Sequence, residues 1–231
     1  MEPMKTLTLP TERVERIPMS YETYREVASE TRIMEWANGE AILHMSASTL
    51  HQIIVAFLTK LLGYYLDSAD VGTLYVAPLE VKFGEDSSAR EPDIFIVAND
   101  NLGTFENARF VGAPDIAIEI ISRSSITIDR VDKFIEYRAA GVREYWLIDP
   151  RPNHHSAEFY TLTDDGAYEQ VEPTGDGVFY STVLPDFWLD INWLWQDELP
   201  NTLNVAAQIL SQAASLSEQQ RNFWQMANER N

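Results

Sequence analysis

Two carboxylates stand inside runs that should be buried. Asp93 follows Pro92 and opens Ile94-Phe95-Ile96-Val97, and Glu119, 26 residues on, lies within Ile116-Ala117-Ile118-Glu119-Ile120-Ile121. An ionised carboxylate is costly to bury unless it is paired or coordinates a cation. Two of them on neighbouring strands repel and take up protons unless a metal sits between them. The chemistry open to such a pair is magnesium-dependent hydrolysis of a phosphodiester. Taken singly, each has a plainer explanation. Asp93 by itself is better read as a turn cap after Pro92, whereas for Glu119, set among four isoleucines and an alanine with no adjacent Lys or Arg, a buried ion pair with a distant arginine is the lesser reading.

Other candidates are weaker alone. Glu40 follows the Asn38-Gly39 turn and looks like an ordinary hairpin residue. Asp129 and Lys133 stand four apart, the spacing of a surface salt bridge on a helix. At 100° per residue they fall opposite Val131 and Ile135, which predicts a solvated face for Lys133, with Tyr137 on the same stripe. His51 sits near the start of a long helix, where a lone histidine is usually a hydrogen-bonded packing residue. His44 and His154-His155 have no companions at zinc-ligand spacing, and the absence of cysteine excludes disulfides, thiolate zinc sites and thiol nucleophiles. No nucleophile elbow, phosphate-cradling glycine loop or dinucleotide fingerprint is present.

The elements that must position these residues follow from pattern. Ser20-Tyr21-Glu22-Thr23 reads as an N-cap opening a short helix to about Ser29. Arg32 to Met45 reads as a hairpin about Asn38-Gly39. Ser48 or Thr49 caps a longer helix whose Leu50, Ile53, Ile54, Phe57, Leu58, Leu61 and Leu62 form one buried face. Strands are predicted at Thr73–Ala77, Glu80–Phe83, Asp93–Ala98, Asp115–Ile121 and Glu144–Ile148, with 101–113 a loop. A helix from about Thr127 to Ala140 stops at Gly141. Glu158–Thr163 and Tyr168–Glu172 form a hairpin, and strand-like segments surround Pro185. Asn201 to Asn231 reads as one amphipathic helix with Leu203, Ala206, Leu210 and Ala213 as its stripe, for packing on its own domain or for a dimer interface. Interleaved strands and helices argue for a single α/β domain with a mixed sheet.

The chain has 231 residues, 45% of them hydrophobic, enough for one filled core. No signal-like N-terminal stretch and no window near 20 apolar residues is apparent, so a cytoplasmic, membrane-free protein is expected. With 36 acidic and 17 basic residues the net charge is −19. Such a field repels phosphate backbones, so a nucleic-acid substrate requires local asymmetry or a neutralising metal.

Together these residues resemble a known family. The segments Glu91-Pro92-Asp93, Ala113-Pro114-Asp115 through Ser125, then Asp129, Lys133, Tyr137 and Ala140-Gly141 through Asp149-Pro150 are similar to the bacterial putative restriction endonuclease family. That family is a branch of the PD-(D/E)XK phosphodiesterase superfamily, and the similarity runs from about Ser20 to Trp195. The resemblance implies an α/β restriction-endonuclease-like core, a mixed central sheet flanked by helices, with extra β-hairpins and a C-terminal helix. It divides the chain into an extension at 1–19, the domain at 20–196 and a helical appendage at 197–231. It implies Mg2+, with Mn2+ as a substitute, held by Asp93, Glu119, Glu40 and the carbonyl of Ile120. Asp93, Glu119, Glu40 and Lys133 are then catalytic, with His51, Asp129 and Tyr137 in support. The superfamily's lysine belongs two residues after the acidic ligand, where this chain has Ile121, and Lys133 takes its place in the next helix. The implied substrate is DNA and the implied assembly a homodimer. A different class, a non-catalytic binding or assembly module on the same fold, is favoured by the net charge and the displaced lysine.

Overall fold

The computed structural model describes residues 14–28, 34–43 and 48–229. Its centre is a six-stranded sheet in the order Tyr168–Gln170, Ser156–Leu162, Glu144–Asp149, Ile116–Ile120, Ile94–Ala98, Gly72–Val76. Only Ile116–Ile120 and Glu144–Asp149 run parallel, joined by the crossover segment Ile128–Ala140; the other neighbours are antiparallel. A parallel connection needs such a crossover, and here the crossover carries the candidate lysine. A second sheet of seven short strands lies alongside and includes Met34–Ala37, Glu40–Leu43, Glu80–Lys82 and Ala89–Arg90. The mixed α/β fold expected from the element order is present, its mixed central sheet accompanied by a second large sheet and a small two-stranded one.

Period-two alternation sorts the central strands between two faces. Ile116, Ile118, Ile120, Trp146 and Ile148 pack toward the long helix Thr49–Ala69. Ala117, Ile121, Tyr145 and Leu147 pack toward Tyr137 of the crossover. Glu119 therefore points to the crossover side. The long helix starts where Ser48 Oγ accepts the His51 N–H at 3.2 Å. It buries Ile54, Phe57, Leu58, Leu61, Leu62, Tyr65 and Leu66, whereas Ile53 is exposed, contrary to the expected stripe. Contrary also to expectation, this helix is long and apolar enough to cross a membrane by length and composition. Its buried face is taken up by the protein's own core.

Several local expectations fail for identifiable reasons. Two strands, Thr104–Glu106 and Arg109–Val111, occupy the predicted loop. They are three residues long, and their turn is made by Asn107 and Ala108 at positive φ (49° and 60°) rather than by a glycine pair. The hairpin about Asn38-Gly39 forms with both turn residues at positive φ, as a type I′ turn requires. Its outer residues, His44 among them, lie outside the described set. The first helix, capped by Ser20, ends at Val27; Ser29 also lies outside that set. The C-terminal segment is two helices, Thr202–Leu210 and Glu218–Glu229, because a serine-spaced stretch interrupts the pattern. Ala206, Leu210 and Trp224 join the main core, while Leu203 is exposed.

Candidate active site

Register brings the two carboxylates together. The antiparallel ladder ends with Ile94 paired to Ile118, one residue short of Asp93 and Glu119, so both stand at the same end of the paired strands. Both line a cleft of about 490 Å3 together with Glu35, Glu91, Asp129 and Lys133.

Each carboxylate is anchored through one oxygen. Asp93 Oδ2 accepts the Ile120 backbone N–H at 2.8 Å and lies 3.1 Å from His51 Nε2. The Ser48 cap fixes His51 in the first helical turn, which delivers its ring to Asp93. Glu119 Oε1 accepts the Tyr137 hydroxyl at 2.6 Å and stands 2.9 Å from Lys133 Nζ. No hydrogen bond or ion pair among the described residues uses Asp93 Oδ1 or Glu119 Oε2.

Lys133 is buried, which overturns the solvated face that the helical wheel predicts. Val131 and Ile135 are the exposed residues, at 47% and 51%. The wheel equates apolar with buried, but the surface that this helix covers is polar. Lys133 Nζ lies 2.9 Å from Glu35 Oε1, 2.9 Å from Glu119 Oε1 and 3.5 Å from Asp129 Oδ1. Local geometry helps. Ile128–Lys133 is a π turn, leading into the α-helix Phe134–Ala140. On an ideal α-helix an i, i+4, i+8 stripe drifts by about 40° per step, and one wider turn counters that drift. Such turns recur at functional sites. Tyr145 holds this one by donating its hydroxyl to the Asp129 carbonyl at 2.9 Å.

Glu35 is the site residue that pattern reading missed. It lies on Met34–Ala37 opposite Ile42, and Ala37 lies opposite Glu40, so both glutamates share one face of the hairpin. Glu40 is two residues nearer the tip, a displacement of about 7 Å. There it is half-exposed and pairs with Arg16 at 3.4 Å, outside the cleft. Glu35 is buried beneath Arg90, whose NH1 donates to Glu35 Oε2 at 3.0 Å while Nε and NH2 grip Glu136 at 2.7 and 2.8 Å. The one available signal was alternation, since Glu35 lies between Met34 and Trp36 on the opposite face.

The cleft is acidic. Five carboxylates (Glu35, Glu91, Asp93, Glu119, Asp129) line the cleft with two lysines, Lys60 and Lys133, an excess of three negative charges if all are ionised. Burial pushes the Glu119 carboxyl well above the usual range despite Lys133, and burial likewise raises Asp129. Burial and then Glu35 push Glu91 up to about 8. Burial acts to lower the Lys133 pKa, but Glu119, Glu35 and Asp129 hold it well above the ordinary value, so its ammonium stays charged. Buried oxygens of Glu91 (Oε2) and Asp129 (Oδ1) accept no hydrogen bond; Lys133 at 3.5 Å is too long for one with Asp129. Among the described residues no group of three or more His, Asp or Glu forms a ready cage for a metal. An open site fits magnesium better than a cage would, because that ion commonly takes one or two carboxylates and fills its octahedron with water and phosphate oxygens. Asp93 Oδ1 and Glu119 Oε2, the carboxylate oxygens left without a partner among the described residues, are donors of the kind such an ion takes.

Comparison with known proteins agrees with this architecture. The family profile of Uma2, described as putative restriction endonuclease, matches residues 21–192. A curated relative from Synechocystis, the uncharacterized protein sll1609, is 28% identical over 120 residues, covering 52% of this chain and 67% of its own. The crystal structure of a putative nuclease belonging to DUF820 from Anabaena variabilis superposes with a TM-score of 0.63 at 18% identity. That match covers 77% of this chain and 98% of the other, and it shows the shared fold. With three quarters of its length inside the matched region, the chain belongs to the Uma2 putative restriction endonuclease family.

Proposed function

We propose that this cleft hydrolyses phosphodiester bonds of nucleic acid, with DNA as the substrate and magnesium, or manganese in its place, as the ion. One observation carries the reading: Asp93 and Glu119 line one cleft, and a buried, charged Lys133 stands 2.9 Å from Glu119. Bound there, the ion would supply a water of lowered pKa and neutralise charge on the phosphate. Asp93 and Glu119 would hold it through their uncommitted oxygens. Tyr137 and Lys133 fix the Glu119 carboxylate, and His51 and the Ile120 amide fix that of Asp93. Lys133 would orient the attacking water and stabilise negative charge as it develops, a role suited to a preformed ammonium in a dry site. Glu35 rather than Glu40 supports that lysine, and Arg90 supports Glu35.

The non-catalytic alternative drew on the missing lysine after Glu119. The placement of Lys133 beside that carboxylate supports the enzyme, because chemistry depends on where the ammonium stands and not on its place in the chain. Paired cuts across a duplex need two such clefts, so the acting form is taken as a two-fold dimer, to be checked by sedimentation. The deciding experiment incubates the purified protein with supercoiled plasmid and with single strands, plus or minus manganese, beside Glu119→Gln. Metal-dependent cleavage absent from the variant supports the enzyme. No cleavage, with no heat of magnesium binding in wild type, returns the protein to the module class.

A further inference from the structure

The acidic floor leaves open how a phosphate backbone is held over it, and the wall formed by the long helix bears on this. His51, Gln52, Val55, Ala56, Thr59 and Lys60 line the cleft. Their spacing (i, i+1, i+4, i+5, i+8, i+9) places them on one stripe of the helix. In a chain with 36 acidic residues this stripe carries none. Lys60, exposed at its far end, makes no ion pair with any described residue. It differs in this from Lys133, the other lysine lining the cleft, whose charge is committed to three carboxylates. Its neighbour Thr59 keeps a hydroxyl without a hydrogen-bond partner.

The length of the stripe matters as much as its charge. Nine residues separate His51 from Lys60, about 13.5 Å along a helix rising 1.5 Å per residue. A small phosphodiester cannot bridge that distance, and a polynucleotide, charged at every nucleotide, can.

We propose that Lys60 forms a flanking phosphate subsite, its ammonium holding a backbone phosphate of a polynucleotide away from the scissile one. The inference rests on the nuclease reading and identifies the substrate as a polymer laid along the exposed stripe of the long helix. Lys60 is thereby a positioning residue that never meets the reacting phosphorus.

The test is equilibrium binding to fluorescein-labelled 30-nucleotide DNA, single-stranded and duplex in separate arms, by anisotropy. Calcium replaces magnesium to hold back cleavage, and KCl is varied. Lys60→Gln should flatten the slope of log affinity against log salt by about 0.7 on the single strand or about 0.9 on the duplex, the value for one lost phosphate contact. The arm that shows the change identifies the form bound. Lys60→Arg should keep the wild-type slope, as should Arg138→Gln, a charge change outside the cleft. An unchanged slope in Lys60→Gln, with wild type binding and cleaving DNA, overturns the subsite and leaves the nuclease standing. Wild type that binds neither oligonucleotide and cleaves nothing overturns both.

Discussion

Glu119 and Glu144 are both buried glutamates, on the neighbouring parallel strands Ile116–Ile120 and Glu144–Asp149, yet they are held in opposite ways. Glu144 is saturated. Its Oε1 accepts from the Thr182 amide (2.5 Å), the Thr182 hydroxyl (2.7 Å), the Val183 amide (3.0 Å) and the Ser181 hydroxyl (3.1 Å). Its Oε2 accepts from Trp146 Nε1 at 2.9 Å and again from Ser181 at 3.0 Å. These donors are neutral and come mainly from 181–183, so Glu144 fastens that segment to the sheet and has no capacity left for chemistry. Glu119 has two donors on a single oxygen and faces a cleft crowded with other carboxylates. The role of a buried carboxylate is thus read from how completely it is satisfied, and burial alone does not separate the two.

The largest effect that tests this contrast is on catalysis. Glu119→Gln should lower kcat for DNA cleavage by about 1,000-fold or more, equivalent to about 4 kcal/mol of barrier, while a denaturation curve shows a folded protein. Loss of the fold instead would make Glu119 a second Glu144. Next in size is Lys133→Met, which strands Glu35, Glu119 and Asp129 without their shared cation. Breaking a buried ion cluster from one side costs about 3–5 kcal/mol, measurable as a shift of the urea midpoint, and added magnesium should recover part of it. Glu144→Gln should cost about 2–3 kcal/mol, because amide hydrogens would face the donors that the carboxylate now satisfies. The folded fraction should cleave DNA at the wild-type rate; a variant that is stable but inactive would contradict the division of roles.

Asp149 supplies the smallest and most pH-specific case. It is buried on the strand of Glu144 and paired to Arg151 Nε at 2.8 Å and NH2 at 2.7 Å, with Arg130 at 3.5 Å. Burial acts against its ionisation, but the bonds and charge of Arg151 prevail and hold the carboxyl below the usual range. Its stabilisation is then complete above the ordinary aspartate pKa, about 3.9, and disappears as pH falls through the lower folded-state value. Asp149→Asn should cost about 1.5–3 kcal/mol at pH 7, the range for a charged hydrogen bond. Urea melts at successively lower pH should show the two proteins converging; a gap that does not narrow as pH falls below the ordinary aspartate pKa would rule out the charge as its source.

Much of this was legible in the chain itself. Carboxylates interrupting β-branched runs marked Asp93 and Glu119. Ser48 and Gly141 bounded the helices that deliver His51 and Lys133. The misreadings share a cause. The helical wheel turns Lys133 outward because it ranks residues by polarity without knowing what the helix will meet, and only the family resemblance puts that lysine at the site. Glu40 drew attention from Glu35 because nothing local tells which of two acids on one hairpin face lies over the cleft. The strands of 101–113 were too short to show alternation.

The amino-acid order by itself determined the two acidic positions, the principal helices and strands, and the excess of acidic over basic residues, since these follow from local pattern and composition. The tertiary structure alone decided that strand register brings Asp93 and Glu119 to one cleft, that a π turn aims Lys133 between Glu119 and Glu35, and that Lys60 overlooks the same cleft. Those outcomes depend on groups distant in the chain approaching within hydrogen-bond range, and the energy of a charge in a low-dielectric interior is set by such neighbours.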